Sequence, residues 1–243
     1  MRALWMALLG VALALTGLPL ACAAAAEPPS GFQDTTVFEG LQEPTAFAFA
    51  ADGRVFIAEK AGRILVYEGL ADTEPTVFAN LAKQVFDYGD KGILGLALDP
   101  AFDAGRPYVY VLYTYDHVLG QTPREGEVGW APRWGQPPTY VGDHCPEPLG
   151  ACVVSGRLVR LTAGAATALP TATEPAQNVL IEDWCQQFSS HSIGDLKFGP
   201  EGALFVSGGE GASWVNSDFG QYGNPCGDPP GPAGTNLEPP QAE

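Results

Sequence analysis

Residues 189–214, SSHSIGDLKFGPEGALFVSGGEGASW, carry the side chains of this chain best suited to chemistry. His191 stands just ahead of an alternating apolar run, and Glu210 stands in a glycine-rich loop after a second run. Leu196 and Phe198 share one face of the first run, as Leu204 and Val206 do of the second, the period-two signature of half-buried strands. The acidic turn Pro200-Glu201-Gly202 between them predicts a hairpin, which returns Glu210 to the end where His191 lies. Imidazole is the side chain whose ordinary pKa lies nearest neutrality, so it can accept a proton there. A carboxylate beside it can hold the ring and stabilise the imidazolium as it forms. The pair points to general-base chemistry; the plainer alternative is a histidine that caps backbone groups at a hairpin end.

Other polar residues offer less. Glu59 and Lys60 read as an exposed pair at a strand end, and Asp90, just before Gly92, reads as a turn former. His117 and His144 fall in a long insert and read as surface histidines. Trp130, Trp134, Trp184 and Trp214 could stack on a ligand ring, although packing is the commoner use of tryptophan. The loop Gly208-Gly209-Glu210-Gly211 is no phosphate cradle, because no helix N-terminus follows it.

The elements that must position His191 form a repeat. Ala46-Phe47-Ala48-Phe49 leads through Asp52-Gly53 to Val55-Phe56-Ile57-Ala58. Leu94-Gly95-Leu96-Ala97-Leu98 leads through Asp99-Pro100 and a short insertion to Tyr108-Val109-Tyr110-Val111. Leu196-Lys197-Phe198 leads through Pro200-Glu201-Gly202 to Ala203-Leu204-Phe205-Val206. Phe49, Leu98 and Phe198 are spaced 49 and 100 residues apart, one and two units of about fifty. A second echo, Gly62-Arg63-Ile64-Leu65-Val66-Tyr67 and Gly156-Arg157-Leu158-Val159-Arg160-Leu161, comes late in its unit each time. Four short strands per unit of that size predict an all-β fold built from β-propeller blades. The second unit is stretched by a Gly-, Pro- and Trp-rich loop near 117–152, of the kind that lies on a propeller rim. Units begin near 41, 92 and 190, so about two and a half blades are present where closed propellers need four to eight. The expectation is an N-terminal portion of a longer protein.

Composition limits the functional classes. The 243 residues include 30 glycines and 22 prolines, which favours turns over helices. The net charge of −16 repels phosphate backbones and argues against nucleic-acid binding, while an acidic surface by itself names no substrate. Arg2, the apolar stretch from Ala3 to Leu18 and the small residues from Ala21 to Ala26 predict a signal peptide over residues 1–26. The mature protein is then secreted or periplasmic and has no membrane span; lipidation at Cys22 is disfavoured by Pro19. Cys145, Cys152, Cys185 and Cys226 remain, an even number that reads as two disulfides in an exported chain. Three pairings are possible, and Cys145–Cys152 with Cys185–Cys226 is the economical one. No C-x-x-C spacing supports a metal site instead.

In order and spacing the chain resembles the PQQ-dependent soluble glucose and aldose sugar dehydrogenases, within the glucose/sorbosone dehydrogenase superfamily of six-bladed propellers. The matching pieces are Leu41-Gln42-Glu43-Pro44-Thr45-Ala46, Asp52-Gly53-Arg54-Val55-Phe56-Ile57-Ala58-Glu59-Lys60 and Gly62-Arg63-Ile64. Then come Gly89-Asp90-Lys91-Gly92-Ile93-Leu94-Gly95-Leu96-Ala97-Leu98-Asp99-Pro100, Tyr108-Val109-Tyr110-Val111 and His191-x-x-Gly194-x-Leu196 with its hairpin. The resemblance runs from about 31 to 211 and implies a partial propeller over 31–243. It implies that His191 takes the proton from a sugar's anomeric hydroxyl while hydride passes to PQQ, and that Glu210 orients the ring. The family's usual residue at the Glu210 position is Asp. Asp90 falls where the family places a polar contact to cofactor or substrate. PQQ and calcium are implied as cofactors, with a sugar and an electron acceptor as partners. The clamping arginines and lysine and the calcium-binding carbonyls belong to later blades, so these residues alone are expected to be inactive, and no metal ligand is assigned here. The oligomeric state stays open. A non-catalytic propeller of the same superfamily, binding a protein or glycan through its rim, is the competing expectation.

Overall fold

The computed structural model describes residues 28–116, 154–163, 177–186 and 190–209. The chain divides into a unit up to Thr36 and a second from Val37 to Glu243. In the first, the described residues make a turn closed by the Phe32 amide donating to the Pro29 carbonyl at 3.0 Å.

The second unit is built of antiparallel strands. The first sheet is a meander of β1 (Pro44–Phe49), β2 (Val55–Glu59), β3 (Arg63–Tyr67) and β4 (Thr76–Asn80), hydrogen-bonded in that order. The second repeats it with β5 (Ile93–Leu98), β6 (Tyr108–Tyr115), β7 (Val154–Thr162) and β8 (Gln177–Gln186). A third opens as the hairpin of β9 (Ile193–Phe198) and β10 (Leu204–Gly208). Among the described residues, two four-stranded blades and the hairpin of another make an incomplete β-propeller. Among the described residues the only helical piece is one 3-10 turn, Phe102–Ala104.

The repeat extends to single hydrogen bonds. After β1, Ala50 accepts from the Gly53 amide at 3.1 Å and donates to the Arg54 carbonyl at 2.9 Å. After β9, Gly199 makes the same two bonds with Gly202 and Ala203, both at 2.9 Å. Gly53 and Gly202 have φ of 100° and 81°, a region open to glycine at little cost, so Asp-Gly and Glu-Gly mark the same turn. After β5 the corresponding residue, Asp99, makes these bonds with Phe102 and Tyr108 at 2.8 and 3.0 Å, and the extra residues form the 3-10 turn.

Alternation along β6 explains its unbroken apolar sequence. Val109, Val111 and Tyr113 pack toward the first blade with Phe56, Ile64, Val66 and Phe78, while Tyr110 and Leu112 pack toward the third with Ile193 and Leu196. A strand covered on both faces has no polar side to show. The hairpin β9–β10 alternates as its sequence predicts: Leu196, Phe198, Leu204 and Val206 face the second blade, and Phe205 on the other side is 61% exposed. On β1 the alanines Ala46 and Ala48 face the second blade, while Phe47 and Phe49 are exposed and meet edge to face at 5.7 Å.

One expectation is corrected. Glu59 is buried, not an exposed strand-end residue: its carboxylate accepts the Gln42 amide at 2.8 Å and pairs with the Arg63 guanidinium at 2.6 Å. Those donors offset the cost of taking the charge out of water. The long insert after β6, with His117, His144, Trp130, Trp134, Cys145 and Cys152, lies outside the described residues, as does Trp214.

Candidate functional site

The first strands of successive blades lie side by side, β1 against β5 and β5 against β9. They start at the same end. The Thr45 hydroxyl donates to the Ile93 carbonyl at 2.6 Å, joining the start of β1 to the start of β5. A Cβ on Gly95 would lie 2.9 Å from the Leu196 side chain, so only glycine lets β9 come this close to β5. Asp90 lies three residues before β5, and His191 two residues before β9. Both sequence candidates therefore sit in loops at one end of neighbouring inner strands, and both are exposed.

The loop bearing Asp90 is strapped down. Val85 bridges Tyr115, the Asp116 amide donates to the Gln84 carbonyl at 2.8 Å, and the Phe86 amide donates to the Thr114 carbonyl at 2.9 Å. Tyr113 reaches the same strap, its hydroxyl donating to Gln84 Oε1 at 2.9 Å, and burial pushes this phenol well above its usual range. Lys91 is wholly buried, with Nζ 3.5 Å from the Gln186 carbonyl and 5.5 Å from the Phe86 ring. In the sequence this lysine has no role beyond its place in the segment 89–100.

His191 is held in an unusual backbone conformation. Its φ of 51° is left-handed, a region that costs a non-glycine residue about 1–3 kcal/mol and persists only where the surroundings enforce it. The surroundings here are Ser192 and Gly209. The Gly209 amide donates to the Ser192 carbonyl at 2.6 Å, and a Cβ on Gly209 would overlap the His191 carbonyl oxygen. Register pairs Gly208 with Ile193, so the hairpin does return the chain to the His191 end. Gly208 belongs to β10 rather than to the loop, and its bare backbone makes room for the Trp184 ring. Trp184 thus packs between blades, among Ile181, Leu158 and Ile193. Glu210 follows directly but lies outside the described residues.

PQQ is a carboxylate-bearing quinone, and calcium needs several converging oxygen ligands. Among the described residues no group of three or more His, Cys, Asp or Glu converges on a common point. The lysine beside Asp90 is buried against a carbonyl, and Arg63 is paired with Glu59. The described residues thus supply an exposed imidazole and an exposed carboxylate at this end of the inner strands.

Known proteins resemble parts of the chain. It is 33% identical over 94 residues to an uncharacterized protein of Synechocystis sp. (strain ATCC 27184 / PCC 6803 / Kazusa), a match covering 36% of this chain and 22% of that one. The PQQ-bound aldose sugar dehydrogenase of Streptomyces coelicolor superposes with a TM-score of 0.51 at 19% identity, over 75% of this chain and 42% of that one. A proposed oxidoreductase (glucose dehydrogenase) of Thermus thermophilus is 28% identical with a TM-score of 0.47, over 72% of this chain and 39% of that one. The chain thus spans about two-fifths of the solved relatives' length and about a fifth of the curated one. Residues 41–227 match the family profile of glucose/sorbosone dehydrogenases, and the chain belongs to that family.

Proposed function

We propose that this chain forms part of an exported oxidoreductase that oxidises an aldose at its anomeric carbon, with PQQ and calcium as cofactors. PQQ, when bound, supplies the two-electron acceptor, and a separate electron acceptor then reoxidises it. The proposed task of this chain is to hold the proton acceptor. His191, exposed beside the Asp90 loop, takes the proton of the anomeric hydroxyl, and Glu210 fixes the ring and stabilises the imidazolium. Asp90 contacts cofactor or substrate from the adjoining blade. Residues 1–26 direct export, which places the mature chain in the secreted or periplasmic space. The observation that carries this reading is the enforced left-handed backbone at His191, at the end of the inner strand.

His191→Ala, made in a polypeptide that carries the remaining blades, is expected to lose on the order of a hundredfold or more of sugar-dependent dye reduction. PQQ binding, followed by fluorescence titration, should persist because the imidazole is assigned to proton transfer alone. Normal turnover by that variant would remove the base and favour a propeller that binds a protein or glycan.

A further inference from the structure

We propose that Thr114, Ser192 and Gly209 act together as positioning residues for His191, a role that rests on the reading of His191 as the proton acceptor. Thr114 is wholly buried, the one hydroxyl-bearing aliphatic residue in the apolar and aromatic strand Tyr108–Tyr115. Each of its polar groups is engaged. Its amide donates to the Gly92 carbonyl at 2.9 Å, and its carbonyl accepts from the Phe86 amide at 2.9 Å. Its hydroxyl shares a hydrogen bond with the Ser192 hydroxyl at 3.3 Å. One residue of β6 therefore ties the strap bearing Asp90 to the residue after His191, across the boundary between blades.

Ser192 is fixed at both ends. Thr114 holds its hydroxyl and the Gly209 amide holds its carbonyl, at 2.6 Å. Gly209 lies so close that any Cβ would meet the His191 carbonyl, and would stand 2.9 Å from the Ser192 oxygen. Glycine at 209 therefore permits the left-handed turn at His191 and also closes the loop that leads to Glu210. Thr114 sets the lateral position of that turn against the Asp90 loop. None of the three need touch a reacting atom; the loss of any one lets the imidazole move relative to its neighbours.

The test compares Thr114→Val, Ser192→Ala and Gly209→Ala with Thr114→Ser, which keeps the hydroxyl. In the full chain, the rate of His191 carbethoxylation by diethyl pyrocarbonate is followed by peptide mass spectrometry, with His117 and His144 as internal references. Thr114→Val, Ser192→Ala and Gly209→Ala are expected to change the His191 rate several-fold and leave both reference rates alone, while Thr114→Ser matches the parent. In a polypeptide with sugar turnover, Gly209→Ala should lower kcat by on the order of a hundredfold with KM little changed, the size of effect expected from a small displacement of a reacting group. Thr114→Ser should restore what Thr114→Val loses. An unchanged His191 rate in Ser192→Ala and Gly209→Ala would overturn the proposal, as would equal changes at all three histidines, which would mark general loosening. Should His191→Ala keep turnover, the base assignment fails, while the carbethoxylation result still decides whether these residues hold the ring.

Discussion

Asp52 lies within the turn after β1 and accepts both the Arg54 amide at 3.0 Å and the Arg54 guanidinium at 2.7 Å. The side-chain hydrogen bond from Arg54 holds its carboxyl below the usual range, against the opposing pull of partial burial. A carboxyl whose folded value is depressed stabilises the fold above its unfolded pKa of about 4, and that contribution is lost as the pH falls through the folded value. Asp52 is 39% exposed, so solvent screening keeps the charge contribution near 0.5 kcal/mol. Asp52→Asn keeps an oxygen for the Arg54 amide and removes only the charge. Acid-unfolding curves should show the variant slightly less stable at neutral pH and converging with the parent in acid; parallel curves would deny the pair any role. The same scale shows how much of the site was legible. His191 stood out because imidazole is rare here and preceded an alternating run. Thr114 and Ser192 did not, because a hydroxyl becomes informative only when its partner, 78 residues away, is known.

Among the elements, the 3-10 turn Phe102–Ala104 reads in the sequence only as an insertion between β5 and β6. In the fold it reaches from the second blade to the first. Phe102 meets Phe56 edge to face at 5.6 Å and lies under the Arg54 guanidinium at 5.3 Å, and Asp103 accepts the Ala51 amide at 2.9 Å. Phe56 is in turn packed edge to face on Phe78 at 5.3 Å. Phe102→Ala should leave a cavity at this boundary and cost roughly 3–5 kcal/mol, read as a lower denaturant midpoint. A loss within the scatter of surface substitutions would show that the turn merely rests on the first blade. The pairing of strands within blades was legible, because alternation and Asp-Gly turns are local. The docking of one blade's turn on the next blade was not.

At the scale of the molecule, covalent closure joins packing. Cys185 lies on β8, and its expected partner Cys226 lies outside the described residues. We expect the Cys185–Cys226 pair, with Cys145–Cys152 as the second bridge. Closing a loop of about 40 residues implies roughly 3–4 kcal/mol on the chain-entropy account, less any native strain. Non-reducing peptide mapping should recover a Cys185–Cys226 cross-linked peptide; a cross-link from Cys185 to Cys145 or Cys152 would replace the economical pairing with one of the other two. No helix among the described residues is long and apolar enough to cross a membrane.

The sequence by itself determined the hairpin that opens each blade, the strand that follows it in the first two and the blade repeat. These rest on period-two alternation and on turn glycines, both properties of a few adjacent residues, while β4 and β8 were not read from the sequence. It also determined that His191 stands before an inner strand and that a hairpin brings the following loop back to it. The tertiary structure alone decided which face of β1 is covered. Hydrophobicity alone would bury Phe47 and Phe49, yet it is Ala46 and Ala48 that pack against the core while the two phenylalanines are exposed. It alone decided that Glu59 and Lys91 are buried, since a charge leaves water only where partners from distant segments meet it. And it alone decided the setting of His191, whose left-handed backbone lies against Gly209 and whose neighbour Ser192 is held by Thr114, residues that the sequence keeps apart and the propeller brings together.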